Sequence, residues 1–322
     1  MTQHYVGVDL GDTNIKAGVV DERGKVAAKE SVPTEGKMGR DAVVKNIGDA
    51  ALAVVKKAGM KMEDVRAIGI GTPGVMDIAN GIVVDAPNLP QWLNVPLEKF
   101  ISDRFHRPTV LENDANAAAW GEYWAGAGKD VDSMVMLTLG TGIGGGIILD
   151  GMLWHGHKDA AAELGHVSID YRGRKCACGN TGCIEAYASA NSMVKRFIEA
   201  VEAGRPSSLA QAAKDGTVTA KTISQAVKQG DKLAGEIMEE TGMLLGVAVV
   251  SIVHALNPKR VVLSGGLSNA GEMLMKPLKK VVWERTFRRA LEDFDIVFAT
   301  LGEDAGFIGA AGCALKKYGI SA

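Results

Sequence analysis

Two segments of the chain follow the same pattern of apolar strand, glycine, polar turn and second strand. Val6–Asp21 places the first strand before Gly11, and Val135–Asp150 repeats the arrangement around Gly140. In both segments an aspartate stands ten residues after the glycine. Internal repetition of this kind indicates a duplicated structural unit. We therefore expect an α/β protein in which two related halves face each other across a cleft.

The distribution of apolar runs predicts where the two halves divide. We expect a first domain over residues 1–118 and a second over residues 119–304, with a cysteine segment and a helical insertion near 188–256. A terminal helix, about 305–322, is expected to pack back on the first domain. The domains would then not be simply sequential.

Composition and charge limit the classes of function. The 322 residues are 47% hydrophobic and 23% charged, as in a soluble globular protein. The net charge of −2 gives no electrostatic reason to expect a nucleic-acid partner. No apolar run approaches the roughly 20 residues of a membrane span, and the N-terminal residues lack the pattern of a signal peptide. We expect a cytoplasmic protein without a membrane partner.

Three of the four cysteines fall within eight positions, and a histidine stands ten residues upstream. His166, Cys176, Cys178 and Cys183 form a complete ligand set for a tetrahedral structural zinc ion. A disulfide is the alternative, but a cluster of three cysteines in a cytoplasmic setting argues against it. The sequence therefore predicts a zinc site.

Three glycine-containing loops follow predicted strands and could hold a nucleotide. Gly11, Asp12 and Thr13 close one strand, and Gly140, Thr141 and Gly142 close its counterpart in the second half. Backbone N–H groups of such loops can approach a phosphate, and threonine adds a hydroxyl donor. A third loop contains Gly265 and Gly266 and precedes a predicted helix. Each loop alone is more often a simple turn, but together they favour nucleotide binding.

A polar cluster stands where a strand gives way to an alanine-rich helix. Asp114 could accept a hydroxyl proton during attack on phosphorus, and Asn113 could orient the alcohol. Alternatively, one of these two residues is only the N-cap of the helix. Three polar residues, beginning with Glu112, are more than a cap requires.

These segments together resemble the ROK family of sugar kinases and sugar-responsive repressors, within the actin–hexokinase superfamily. Ala86–Asn94 is in addition similar to the sugar-proximal loop of the family's bacterial glucokinases. The matching segments, which follow the family's order and spacing, are Val8–Thr13, Gly71–Asp77, Glu112–Asp114, Leu139–Gly142, Glu163–His166, Cys176–Glu185 and Ser264–Gly266.

The resemblance implies two actin-like (ribonuclease H-like) domains around a central cleft, with the zinc-binding loop in the second domain. It implies ATP-dependent transfer of the γ-phosphate to the 6-hydroxyl of a hexose, with glucose as the expected sugar, as a step of glycolysis. Asp114 would be the general base, Mg²⁺ would accompany ATP, and Asp9 could reach that ion. A homodimer is common in the family and is expected here, with a tetramer as the alternative. The implied sugar contacts are Gly74, Asn113, Asp114, Glu163, His166 and Glu185.

Two alternatives and one departure from the family pattern accompany this interpretation. The kinase could act on another hexose or an N-acetylhexosamine (fructose, mannose, N-acetylmannosamine or N-acetylglucosamine), because the motif residues hold hydroxyls common to several sugars. A sugar-sensing regulator without turnover is the second alternative, but the family's regulators typically carry an N-terminal DNA-binding region, and here the first strand begins near Tyr5. Asp12 replaces the family's usual glycine. It could point away from the phosphates, contact magnesium or weaken ATP binding.

Overall fold

A computed structural model describes residues 2–86 and 88–319 of the chain. The strands of this part are β1 (His4–Leu10), β2 (Asn14–Asp21), β3 (Val26–Pro33), β4 (Val65–Thr72), β5 (Val75–Asp77), β6 (Ile82–Asp85), β7 (Leu93–Val95), β8 (Thr109–Asn113), β9 (Met134–Leu139), β10 (Ile143–Leu149), β11 (Met152–Leu153), β12 (Arg260–Ser264) and β13 (Asp295–Phe298). Its helices are α1 (Arg40–Lys57), α2 (Leu97–Phe105), α3 (Asp114–Ala125), α4 (Glu185–Ala188), α5 (Ala190–Glu202), α6 (Ala210–Lys214), α7 (Ala220–Lys228), α8 (Lys232–Leu256), α9 (Glu272–Arg285) and α10 (Ala305–Tyr318).

The first sheet has the strand order β3-β2-β1-β4-β8. Its strands β1, β4 and β8 are parallel, and Asp9, Gly71 and Glu112 lie in register across them. The carboxyl ends of these three strands therefore meet at one edge of the sheet. In open α/β sheets this edge is where ligands bind. The register thus places the polar ends of three separate sequence motifs side by side.

Helix α10 packs directly on this sheet through glycines in neighbouring strands. A Cβ atom at Gly7 would stand 1.8 Å from the carbonyl oxygen of Phe307, and one at Gly69 would stand 1.8 Å from that of Ala310. Any side chain at either position would push the helix off the strands. α10 also packs closely against α3. Helix α10 therefore belongs to the core that surrounds the first sheet, although it stands near the other end of the sequence.

A small antiparallel sheet, β5-β6-β7, follows β4 and was not predicted from the sequence. Its strands have three or four residues each, too short to give a clear alternation of polar and apolar positions. It includes part of the segment 86–94 that resembles a sugar-proximal loop. Pro87 of that segment lies outside the described residues.

The second sheet has the strand order β11-β10-β9-β12-β13. Within it β12 is parallel to both β9 and β13, so Val261 pairs with Val135 and with Ile296. Helix α8 packs against α9, α7 and α5 in the same half of the chain. The expected α/β class with two related sheets is confirmed.

Helix α8 corrects one expectation. The sequence was expected to contain no run long enough for a membrane span, yet this helix has 25 residues and a window with a mean hydropathy of 1.5. By length and composition alone it could cross a bilayer. However, 56% of that window is buried inside the protein, as in the core helix of a folded domain.

By contacts, the described chain divides into two compact units. The first comprises the chain up to Ser133, Gly146–Ala162 and the segment from Ala299 onward, and the second comprises Met134–Gly145 and Glu163–Phe298. These ranges differ from the expected boundaries 1–118, 119–304 and 305–322. One reason is that α3 continues through residue 118, because it remains packed on α10 as far as Gly121.

Candidate active site

Asn113 and Asp114 stand where β8 gives way to α3. Asn113 is the N-cap of the helix, because its Oδ1 accepts hydrogen bonds from the backbone N–H groups of Ala115 at 3.0 Å and Asn116 at 3.1 Å. Its side-chain amide donates to the carbonyl oxygen of Gly74 at 3.4 Å. Asp114 is the first helical residue and is partly buried. The capping alternative therefore applies to Asn113, and the cap does not account for Asp114.

The carboxyl group of Asp9, at the end of β1, belongs to the same strand edge. Burial and the nearby charge of Asp114 raise the pKa of Asp9 to about 6, and Lys16 opposes them only in part. A Cβ atom at Gly306 would stand 2.5 Å from the Asp9 carboxyl carbon, so the first turn of α10 closes over it. Two carboxylates that repel each other in a poorly hydrated place are stabilised by a divalent cation. Oxygen donors of this kind fit Mg²⁺.

The loop Gly11–Thr13 forms a tight turn at the end of β1. The hydroxyl group of Thr34 donates to the carbonyl oxygen of Gly11 at 2.6 Å and so fixes the turn. Asp12 and Thr13 are exposed. Asp12 accepts a weak hydrogen bond from the side chain of Asn88 at 3.4 Å. This contact turns the Asp12 side chain toward Asn88, and the three possibilities raised for Asp12 stay predictions.

Glu112 was noticed in the sequence only as part of a polar cluster, and the structure assigns it a specific contact network. The residue is buried, with 4% of its surface exposed. Oε1 accepts from the backbone N–H of Asn113 at 3.0 Å and from the side chain of Asn116 at 3.2 Å, while Oε2 lies 2.8 Å from Nε2 of His155. This hydrogen bond raises the pKa of His155. Glu112 thereby holds the turn that carries Asp114. A carboxylate within an otherwise apolar strand was the signal in the sequence.

The four predicted zinc ligands come together in the second unit. Their donor atoms all lie within 4.8 Å of one another. For a tetrahedral zinc ion with usual bond lengths, sulfur atoms are about 3.8 Å apart, and a sulfur and a nitrogen about 3.6 Å. The Sγ atoms of Cys178 and Cys183 are 3.7 Å apart, and Sγ of Cys176 lies 3.6 Å from Nδ1 of His166. The residues therefore fit a zinc ion, with Nδ1 as the histidine donor.

The predicted sugar-binding carboxylates of this unit flank the metal cluster. Glu185 accepts a hydrogen bond from the backbone N–H of Ile143 at 2.8 Å, and its other oxygen lies 3.9 Å from Sγ of Cys176. It thus joins the cluster to the loop Gly140–Gly142. The Glu163 side chain is exposed, and its Oε2 is 3.9 Å from Nε2 of His166. Glu163, His166 and Glu185 therefore surround one site, and their contacts with sugar stay a prediction.

A cavity of about 740 Å³ lies within the second unit. Gly140, Thr141 and Gly266 of the predicted nucleotide loops line it. Gly142 and Gly265 are not part of its wall. Gly142 faces the Glu185 carboxylate, and Gly265, with φ of 89°, turns tightly against the backbone of Leu139.

The rest of this cavity is formed by residues that the sequence analysis did not single out. Helix α5 contributes Asn191 and Val194, and helix α7 contributes Lys221, Gln225 and Lys228. The sequence indicated only a helical block here, because nothing local shows which turn of a helix faces a distant loop. The lysines supply positive charge beside a largely apolar surface.

Comparison with known proteins identifies the family. Residues 5–317 match the ROK family over nearly the whole chain. The chain belongs to the ROK family, as the sequence motifs predicted. It is 39% identical to a glucokinase of Thermotoga maritima over 98% of both chains.

Two solved structures share its fold at high coverage. A ROK hexokinase from Thermus thermophilus is 33% identical, with a TM-score of 0.81 over 98% of this chain and 99% of that one. A ROK family glucokinase from Streptomyces griseus, in complex with glucose and AMPPNP, is 35% identical, with a TM-score of 0.77 over 97% and 99%.

Proposed function

We propose that this protein is a glucokinase that transfers the γ-phosphoryl group of ATP to the 6-hydroxyl group of glucose. The observation that carries the proposal is near-full-length similarity to the Thermotoga glucokinase, combined with a carboxylate, Asp114, at the strand edge where such folds bind ligands. The Streptomyces structure, which holds glucose and an ATP analogue, supports both substrates.

Asp114 is the proposed general base. It accepts the proton of the sugar hydroxyl as that oxygen attacks phosphorus. The side-chain oxygen of Asn113 accepts the hydrogen bonds of the helix cap. Its amide nitrogen can therefore donate to a sugar oxygen or to the carbonyl oxygen of Gly74. Glu112 fixes this turn by accepting the N–H of Asn113. Mg²⁺ bound with ATP would neutralise phosphate charge, and Asp9 is the carboxylate proposed to hold it, directly or through water.

The proposed zinc ion has a structural role that determines the chemistry of His166. With Nδ1 directed at the metal, Nε2 carries the proton and can donate to a sugar oxygen. Glu163 and Glu185 accept hydrogen bonds from sugar hydroxyls, an arrangement strengthened by their charge. A hydrogen-bond donor on His166, held between the acceptors Glu163 and Glu185, favours a ligand rich in hydroxyl groups over an apolar ligand.

The cavity of the second unit is proposed to hold the nucleoside part of ATP. Its volume and apolar wall are those of a small-molecule site, and the loop with Gly140 and Thr141 offers backbone N–H groups to phosphates. Lys221 and Lys228 would attract the anionic nucleotide. Replacing both with methionine is expected to raise the KM for ATP while leaving the KM for glucose unchanged.

A coupled kinase assay with a panel of hexoses and phosphate donors tests the proposal. We expect glucose and ATP to give the highest kcat/KM, and Asp114→Asn to lower kcat by about a hundredfold or more with glucose binding retained. The matched control is Asp103→Asn, which removes an exposed carboxylate paired with Lys99.

The outcomes of this assay separate the alternatives. Preference for fructose, mannose or an N-acetylhexosamine would replace glucose as the substrate within the same mechanism. Glucose binding without turnover would favour a sugar-sensing regulator. Near-normal kcat in Asp114→Asn would remove this residue from the mechanism.

Localisation and assembly are further parts of the proposal. None of the four cysteines forms a disulfide, which suits a reducing cytoplasm. A homodimer, with a tetramer as the alternative, is proposed from the family resemblance, and light scattering would measure it.

A further inference from the structure

A second pocket, of about 330 Å³, lies within the first unit and takes no part in the proposed reaction. Its apolar wall includes Ile78, Val110 and Leu153, and its polar wall includes Trp120, His155 and Lys316. The volume lies at the lower end of the roughly 300–1,000 Å³ of small-molecule sites. The pocket combines an apolar surface with a few convergent polar groups.

One buried hydrogen-bond donor of this pocket lacks an acceptor among the described residues, and a lysine stands beside it. Trp120 is 8% exposed, and its indole N–H is buried and makes no hydrogen bond within the described residues. A buried donor without an acceptor costs about 1–3 kcal/mol. The Lys316 ammonium group lies 4.3 Å from the centre of the Trp120 ring and has no carboxylate partner in the part of the chain described. Lys316 is exposed, and partial burial of its side chain lowers its pKa, an effect that the nearby Glu112 carboxylate opposes.

The charges around the pocket favour an anion. The pocket lining contains two lysines, Lys316 and Lys317, and one carboxylate, Glu112, which is hydrogen-bonded to His155. Lys317 faces Glu98 at 3.8 Å, and Lys316 has no carboxylate within ion-pair distance among the described residues. An anionic group placed beside Lys316 could accept a hydrogen bond from its ammonium group through one oxygen and from the Trp120 indole through another.

We propose that this pocket binds a small amphiphilic anion, a carboxylate or a phosphate monoester with a short apolar tail. The anionic group contacts Lys316 and the indole N–H of Trp120, and the tail lies against Val110 and Leu153. Neutral and cationic molecules of the same shape lack the partner for Lys316 and bind more weakly.

The pocket is connected to the turn that carries Asp114. His155 in its wall pairs with Oε2 of Glu112, and Oε1 of the same carboxylate accepts the N–H of Asn113. A ligand that shifts His155 therefore changes the electronic surroundings of the Asn113 amide. An influence on turnover would rest on the proposed function, but binding itself would not.

The experiment uses NMR spectra of the full-length protein with ¹⁵N-labelled backbone and indole groups. The Trp120 indole resonance is assigned with Trp120→Phe. Hexanoate and hexyl phosphate are titrated to millimolar concentrations, with hexanol and hexylamine as the neutral and cationic controls. We expect at least one of the two anions to shift the Trp120 indole and Asn113 amide resonances saturably, and the tighter of the two identifies the anionic group.

Two lysine variants complete the test. Lys316→Met keeps an unbranched side chain but removes the charge, and is expected to weaken anion binding about tenfold or more. Lys99→Met, an exposed lysine in the same unit, is expected to bind as the parent protein does. The proposal is overturned if neither anion shifts Trp120, if hexanol binds as tightly as the anions, or if Lys316→Met binds them unchanged. A shift at Trp120 without one at Asn113 would refute the connection to Asp114.

Discussion

Asp9→Asn is expected to make the protein more stable and less active. Asp9 is largely enclosed beneath α10, where its pKa rises from 3.8 to about 6. A change of about two pKa units corresponds to about 3 kcal/mol of unfolding free energy. Because Asp9 keeps some contact with water, this figure is an upper limit. Asparagine has nearly the same shape and no charge, so it removes the cost of ionisation.

The sign of the stability difference between Asp9→Asn and the parent protein, and the pH range over which it appears, follow from the linkage between proton binding and folding. A carboxyl group whose folded pKa is raised contributes its stabilisation fully below the unfolded pKa and loses it as pH rises through the folded value. The advantage of Asp9→Asn should therefore be near zero at pH 4, grow between pH 4 and 6, and be fully present at pH 7. Urea unfolding of both proteins at a series of pH values, without nucleotide or divalent cations, measures this difference.

Activity provides the second half of this test. If Asp9 holds the magnesium ion of ATP, Asp9→Asn lowers kcat and raises the Mg²⁺ concentration needed for half-maximal rate. Asp12→Asn is the stability control, because its carboxylate is exposed in the adjacent loop. A stability difference independent of pH, or a less stable Asp9→Asn at pH 7, would refute the reasoning about burial and repulsion.

Three further predictions concern the metal cluster, a strained residue and a buried carboxylate. Cys178→Ser should lose zinc and weaken glucose binding, measured by elemental analysis and KM, and a full zinc content would exclude this ligand. Ala162 has φ of 67°, a left-handed conformation that costs a non-glycine residue about 1 kcal/mol, so Ala162→Gly should raise the unfolding free energy by about 0.5 kcal/mol. A loss of stability would contradict that strain. The fully buried Glu122 accepts backbone N–H groups of Thr300 and Leu301, and Glu122→Gln should lower the unfolding free energy by about 2–4 kcal/mol in urea titrations. An unchanged value would show that these bonds contribute little.

Long apolar segments with clear ends were predictable from the sequence. The apolar run Val65–Gly71 predicts a strand, and this strand is β4, which ends one residue later. The apolar residues spaced along one face of Asp41–Ala58 predict a helix, and this helix is α1 with slightly shifted ends. Burial of one face or of the whole segment leaves a pattern in the sequence itself. The short strands β5–β7 leave no such pattern, and they were missed.

In the candidate site too, local patterns in the sequence predicted some features, whereas contacts between distant residues were not predictable. The zinc ligands lie within 18 residues of one another, so their spacing alone indicated the site, and the structure added which nitrogen of His166 faces the sulfur atoms. The network of Glu112 and the helical wall of the large cavity were not predictable. They depend on contacts between residues far apart in the chain, such as Glu112 with His155.

The sequence by itself determined the family, the α/β class and the identity of the chemical groups, because these depend on local patterns and on residue type. The tertiary structure decided the surroundings of each group. It placed Asp9 under a helix from the other end of the chain, gave Asn113 the cap rather than Asp114, and left the buried Trp120 indole without an acceptor among the described residues. Burial and hydrogen-bond partners are set by strand register and helix packing, and these are properties of the whole fold rather than of any segment.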